Sequence, residues 1–287
     1  MKKVRVMAEM CCNHCGDIEL AKKMIYEAKV NCNVDIVKFQ KRNIDIWASK
    51  KPEVYNSEHP NPTNSFGKTY REHREFLELT FEQHKELKKY CDELGVDYSA
   101  SVWDIPSAKE ITSLNPKLIK IASACNNYYE LLEWICENFN GEIHLSLGMT
   151  TRKEIEDIVN FFIEKNRNKD LVLYCCTSGY PVKPEEVCLL EITRLIKEYG
   201  DKVKEIGFSG HHFGTILDIG ACSLGATIIE RHFSIDKTMK GTDQVASLET
   251  AEMANLVNNL DEITRALNYK EQEILEVEKN NKEKLKW

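Results

Sequence analysis

No run in the 287-residue chain is long and apolar enough to cross a bilayer as a helix, so no membrane span is expected. There is no basic stripe either. A net charge of −7 with 30% charged residues excludes the electrostatic footprint of a nucleic-acid-binding surface. The N-terminus MKKVRVMAEM opens like a signal peptide, but Glu9 interrupts the apolar run before an h-region forms, which points to the cytoplasm. Eleven cysteines are present, yet no zinc ribbon is: Cys12 and Cys15 form one C-x-x-C, and no second pair follows at ligand spacing. Cys32, Cys91, Cys136 and Cys222 fall on apolar helix positions, where a free thiol packs as a small hydrophobe. Free thiols in a reducing compartment are therefore expected. No G-x-G-x-x-G follows any strand, which weakens an open doubly wound dinucleotide fold.

What the chain has is alternation. Short β-rich runs stand at 4–9, 35–40, 96–101, 118–123, 142–147, 171–176, 204–209 and 227–233, with amphipathic helical stretches between them. Thr150 and Thr151 before a Lys-Glu run, and Pro184 before two glutamates, read as helix starts. Eight strand–helix units in a row predict a (β/α)₈ TIM barrel over residues 1–270, with a charged, helical tail at 271–287. Residues 41–80 form an unusually long connection, of the kind that serves as a lid or stays disordered.

A barrel keeps its chemistry where strands end. There the chain places Glu9, then Asn13 and His14; Lys38 and Gln40; Ser101 and Asp104; Lys120 and Ser123; Ser146 with Gly148 and Met149; Ser178 and Tyr180; Ser209 and His211; and Glu230 and His232. Lysines inside apolar strands need a partner, because a buried ammonium is costly without an anion. Lys38 and Lys120, joined by serines from other strands, suit a phosphate and a carboxylate. Pairing with Glu9 and Glu230 is the plain alternative. His211 and His232 end neighbouring strands, within reach of one exchangeable divalent ion; a hydrogen-bonded core role is equally open on spacing alone. Alternation turns either His211 or His212 away.

The motifs resemble those of the sialic acid synthases, the phosphoenolpyruvate-condensing family of N-acetylneuraminate, legionaminate and pseudaminate synthases. AEMCCNHCG is similar to the family's opening AEIGxNHxG. DIVKFQ, KIAS, LSLGMT, CTSGYP, GFSGHHFG, GATIIERHF and KGTDQVASLE follow in the family's order, from about Val4 to Glu249. The resemblance implies a TIM barrel that joins phosphoenolpyruvate to an N-acyl hexosamine aldehyde and releases phosphate. It implies Mn²⁺ or Mg²⁺ on His211 and His232. Lys38, Lys120, Ser123, Ser146, Ser178 and Ser209 would hold phosphoenolpyruvate, with Glu9 near the reacting carbons. Gln40, Ser101, Asp104, Tyr180, Glu230 and Asp243 are the candidates for the acceptor sugar.

The chain departs from the family pattern at Gly210, where an aspartate is expected behind the histidine, and at Cys125, Cys175 and Gln244. His212 is a candidate substitute ligand or partner. The family's small C-terminal antifreeze-like domain is expected to be absent, and a homo-oligomer stays open as the assembly. Two rival readings remain: a metal-dependent barrel aldolase or hydrolase, disfavoured because strand one lacks an H-x-H pair, and a non-catalytic sugar-binding relative.

Overall fold

The computed structural model describes residues 3–287. Eight strands form one closed parallel barrel in sequence order: β1 Arg5–Glu9, β2 Ile36–Lys41, β3 Asp97–Val102, β4 Leu118–Ile121, β5 Glu142–Ser146, β6 Leu171–Cys176, β7 Glu205–Gly210 and β8 Ile228–His232. The closing pair is β1 with β8, in which Glu9 stands opposite His232. The TIM barrel expected from the alternation is the fold observed. No helix among the described residues is long and apolar enough to cross a membrane.

The period of two divides each strand between two cores. Met7, Ile36, Leu118, Val172, Tyr174 and Ile228 point inward and fill the barrel. Their outward neighbours, such as Val6, Val37, Ile119, Leu173 and Ile229, belong to the larger layer between strands and helices. The helix Arg152–Glu164 shows how that layer is covered. Ile155, Ile158, Val159 and Phe162 recur at helical spacing on its buried side. Thr151 and Glu154 close its first turn as a reciprocal capping box, which contributes about 1 kcal/mol. The last barrel helix, Thr250–Ala266, packs against Ile216–Ser223, and the tail ends in the helix Glu276–Leu285.

The connection after β2 is not an unstructured lid. It holds helices Ile44–Lys50, Pro52–Tyr55 and Tyr70–Leu77, with a 3₁₀ turn at Pro62–Asn64. Aromatic contacts give it a core of its own: Phe66 stacks on Phe76 at 4.8 Å, and Tyr55 meets Tyr70 edge-on at 5.1 Å. It leans on the β1 loop closely enough that a Cβ on Gly16 would lie 2.4 Å from the Phe76 carbonyl oxygen. Packing of this density holds a charged side chain, Arg74, on the wall of the cavity at the strand ends.

Candidate active site

At the carboxyl ends of the strands lies a cavity of about 390 Å³. Its wall gathers Glu9, Lys38, Gln40, Ser101, Lys120, Ser123, Ser146, Ser178, Tyr180, Ser209, His211, Glu230, His232 and Asp243. Asp104 alone of the candidates lies outside it. Its two carboxylate oxygens accept from the Ser107 and Asn43 backbone N–H groups at 2.8 and 2.6 Å, so it caps the helix Ile105–Ser113 and ties down the β2 loop. An acceptor-sugar role for Asp104 is therefore corrected to a structural one: a carboxylate already bonded to two amides in a buried position has little left for a ligand.

The floor of the cavity is a buried charge quartet. Lys120 Nζ lies 2.9 Å from Glu230 Oε2 and 3.3 Å from the centre of the Tyr174 ring. Lys38 ion-pairs with Glu9, donates to Ser101 Oγ at 2.9 Å and stands 3.7 Å from Glu230. Ser209 donates to the other Glu230 oxygen at 3.0 Å. The lysines thus have the carboxylate partners of the plain alternative, and they also face the cavity. Burial raises the Glu9 carboxyl to about 7, with the Glu230 charge adding to it and Lys38 opposing. Burial pushes Glu230 the same way, but Lys120 and Lys38 prevail and hold it well below the usual carboxylate range. Burial draws the Lys120 ammonium down to about 8, with Glu230 opposing. When Glu9 takes a proton, the quartet carries one excess positive charge, which an entering anion would neutralise.

Hydroxyls converge above this floor around Gly148. Its N–H donates to Ser123 Oγ at 3.1 Å, and a Cβ built there would meet Ser178 Oγ at 2.2 Å and Ser123 Oγ at 2.8 Å. Asn126 shapes the same turn by donating to the Ser146 carbonyl and to Thr150. Two serine hydroxyls and a glycine without a side chain between them leave room for a small anion.

His211 and His232 come together with ring centres 5.2 Å apart, and Tyr180 covers both. Burial lowers the basicity of each imidazole, which disfavours its protonated form. His211 Nδ1 is engaged by the Thr177 carbonyl at 3.0 Å, whereas the buried Nδ1 of His232 has no hydrogen-bond partner. Asp243 joins this corner rather than standing apart: donor atoms of Cys11, His232 and Asp243 all lie within 4.8 Å of one another.

His212 does not substitute as a ligand. It points out of the barrel, where Nε2 lies 3.1 Å from Arg231 and 3.3 Å from Asp218. Its ring also accounts for Gly210, since a Cβ there would meet His212 at 2.8 Å. Cys125 is buried with Sγ against the Trp103 carbonyl, and Cys175 faces the helix layer. Gln244 braces the neighbouring loop: its amide donates to the Lys240 carbonyl at 3.0 Å and accepts from Asp243 N–H at 3.2 Å. Among the wall residues that sequence reasoning overlooked are Arg74 and Cys11. Arg74 had only a weak signal, as one cation among several in the long connection. Arg71 is spent on surface pairs with Asp45 and Glu75. Cys11 had a clearer one, as a side chain where AEIGxNHxG has glycine.

Residues 24–272 match the model of the NeuB family. The chain belongs to the NeuB family. Human N-acetylneuraminate-9-phosphate synthase is 36% identical over 284 residues, covering 98% of this chain and 76% of that protein. The N,N'-diacetyllegionaminic acid synthase of Campylobacter jejuni is 32% identical over 273 residues, 93% of this chain and 78% of that protein. Among solved structures, the N-acetylneuraminic acid synthetase of Leptospira borgpetersenii serovar Hardjo-bovis, in complex with citrate, superposes with a TM-score of 0.85. It is 27% identical and covers 99% of this chain and 91% of its own. The NeuB barrel described here thus shares its fold across almost its whole length with a sialic acid synthetase.

Proposed function

We propose that this NeuB chain joins phosphoenolpyruvate to the aldehyde of an open-chain N-acyl amino sugar, giving a nonulosonic acid and inorganic phosphate. The observation that carries the reading is that two buried lysines and the serine hydroxyls beside Gly148 line one cavity, a donor set that fits a ligand bearing both phosphate and carboxylate. Lys38 and Lys120 offset its charge. C3 of phosphoenolpyruvate bonds to the aldehyde carbon, which leaves C2 electron-poor; water adds at C2, and phosphate departs as the C–O bond breaks. Glu9, with a carboxyl near 7, can hold the proton that the alkoxide or the water exchanges. Mn²⁺ or Mg²⁺ fits His211 and His232, given two buried imidazoles whose basicity burial lowers and the unpartnered Nδ1 of His232. Bound there, such an ion would supply Lewis acidity toward the aldehyde oxygen.

The name of the human relative contains a 9-phosphate. Because phosphoenolpyruvate adds three carbons ahead of the aldehyde, C6 of a hexosamine becomes C9 of the product. Arg74, a cation on the cavity wall, is the candidate partner for a 6-phosphate. The test is phosphate release with phosphoenolpyruvate, a divalent ion and a panel of N-acyl hexosamines, each with and without a 6-phosphate. Release that requires one acceptor supports the reading. No release with any acceptor, and no change in Tm with phosphoenolpyruvate, would leave a non-catalytic barrel.

The space at Gly148 gives a sharper expectation. Gly148→Ala should raise KM for phosphoenolpyruvate by roughly tenfold, the loss of one hydrogen bond to a charged group at about 1.5 kcal/mol. Tm and kcat should move little. An unchanged KM would remove Ser123 and Ser178 from the donor site.

A further inference from the structure

Cys11 is out of place for an ordinary core thiol. It is a non-glycine residue with φ 45°, a left-handed conformation that costs an L residue roughly 1–2 kcal/mol. The family's opening segment, to which residues 8–16 are similar, has glycine here. The side chain gained at that cost does not enter the apolar layer. Its Sγ lies 2.6 Å from Asp243 Oδ2 and 2.9 Å from Gln40 Nε2, on the cavity wall. Of the other two thiols of the segment, Cys12 lies against the Cys11 thiol and meets Arg74 at 3.2 Å, off the cavity wall, and Cys15 faces the Asn13 and Lys240 carbonyls.

The geometry points to Cys11 as a thiolate ligand of the divalent ion at this corner, together with His232 and Asp243. The three donors belong to the β1 loop, the end of β8 and the loop after it, and they lie within 4.8 Å of one another. Ligands about 2.0–2.3 Å from a shared ion stand roughly 3–4 Å apart, so modest adjustment closes the shell. His232, 6% exposed with Nδ1 lacking a partner, is an independent sign that the corner is unfinished without a ligand. Charge agrees: one thiolate and one carboxylate neutralise a divalent ion, while imidazoles add none. On binding, the Sγ–H proton passes to solvent, one per ion. A sulfur donor also changes which ion is preferred, favouring Zn²⁺, Co²⁺ or Fe²⁺ over Mg²⁺. A simple thiol-to-carboxylate hydrogen bond explains the 2.6 Å contact but leaves the His232 nitrogen and the backbone cost unexplained.

This inference rests on the divalent-ion reading above, and cobalt separates the two. The purified full chain, stripped of metal and kept anaerobic, is titrated with Co²⁺ and followed by absorption and equilibrium dialysis. Expected is a sulfur-to-cobalt charge-transfer band in the near ultraviolet, retained in Cys12→Ser and Cys15→Ser and lost in Cys11→Gly. Glycine suits the φ of this position, so that variant should fold at least as well as the parent; Cys11→Ser is the second, size-matched variant. Zn²⁺ affinity should fall in both by more than the roughly 10–100-fold that loss of a ligand's supporting partner costs. Cobalt bound with visible d–d bands but no charge-transfer band would overturn the Cys11 assignment and leave the histidine site standing. A band that survives Cys11→Gly would overturn it as well. No cobalt bound by dialysis would overturn the divalent-ion reading itself.

Discussion

Lys120→Met is expected to lower phosphate release from phosphoenolpyruvate by on the order of 10³-fold, the scale of removing one preorganised electrostatic contact in a water-poor site. Lys120 is 1% exposed and reaches the cavity floor, with its ammonium held between Glu230 and the Tyr174 ring. Burial already draws it toward neutrality, to about 8; an arriving anion strengthens its charged form, so the interaction grows when substrate is present. Methionine keeps the volume of the stem but none of the charge. The cost in stability is a separate matter. Removing one partner of a buried pair costs about 3–5 kcal/mol when the other is stranded. Here Ser209 still donates to Glu230 at 3.0 Å, and Lys38 lies 3.7 Å away, so the loss should sit near the lower bound. Steady-state phosphate release and Tm, measured on the same preparation, divide the two effects. A variant with nearly parental turnover would show that Lys120 is only the counter-ion of Glu230.

The largest stability effect is expected on the opposite face of β8. Arg231 is fully buried, and its guanidinium donates to Asp218 at 2.5 Å, to the Gly214 carbonyl at 2.7 Å and to the His212 carbonyl at 2.6 Å. Asp218, also 0% exposed, has no other lysine or arginine partner among the described residues. Arg231→Met strands that carboxylate and two carbonyls, and should cost about 3–5 kcal/mol. For a domain of this size that lowers Tm by roughly ten degrees. Replacing Asp218 with leucine in the same chain should return part of the loss, because an apolar pair of similar volume can substitute for a buried ion pair. Thermal unfolding of the two single variants and the double variant measures the coupling. Additive losses would mean that the carbonyl contacts, not Asp218, hold Arg231.

The sequence and the structure part company at particular residues. Lys38, Gln40, Lys120 and Glu230 could be assigned to the barrel interior because a strand alternates strictly, so one apolar neighbour settles the face of the next residue. His211 was legible as one of a pair of which one must turn away, but which one was not. That was decided by Arg231, whose guanidinium takes His212 outward. Asp104 follows a strand just as Ser123 follows another, yet its carboxylate is consumed by the Ser107 and Asn43 amides. Past the last strand residue the period no longer applies, and loop hydrogen bonds decide direction.

The sequence by itself therefore determined the barrel, its strand order and the polar residues its strands carry inward. Those depend on periodicity and on the cost of burying charge, both of which act locally. Only the tertiary structure decided that Arg74 of the long connection reaches the cavity wall, that Gly148 leaves room for two hydroxyls, and that Cys11, His232 and Asp243 meet at one corner. Cys11 and Asp243 are 232 residues apart along the chain. Their meeting follows from closure of β1 on β8, a constraint that no local pattern contains.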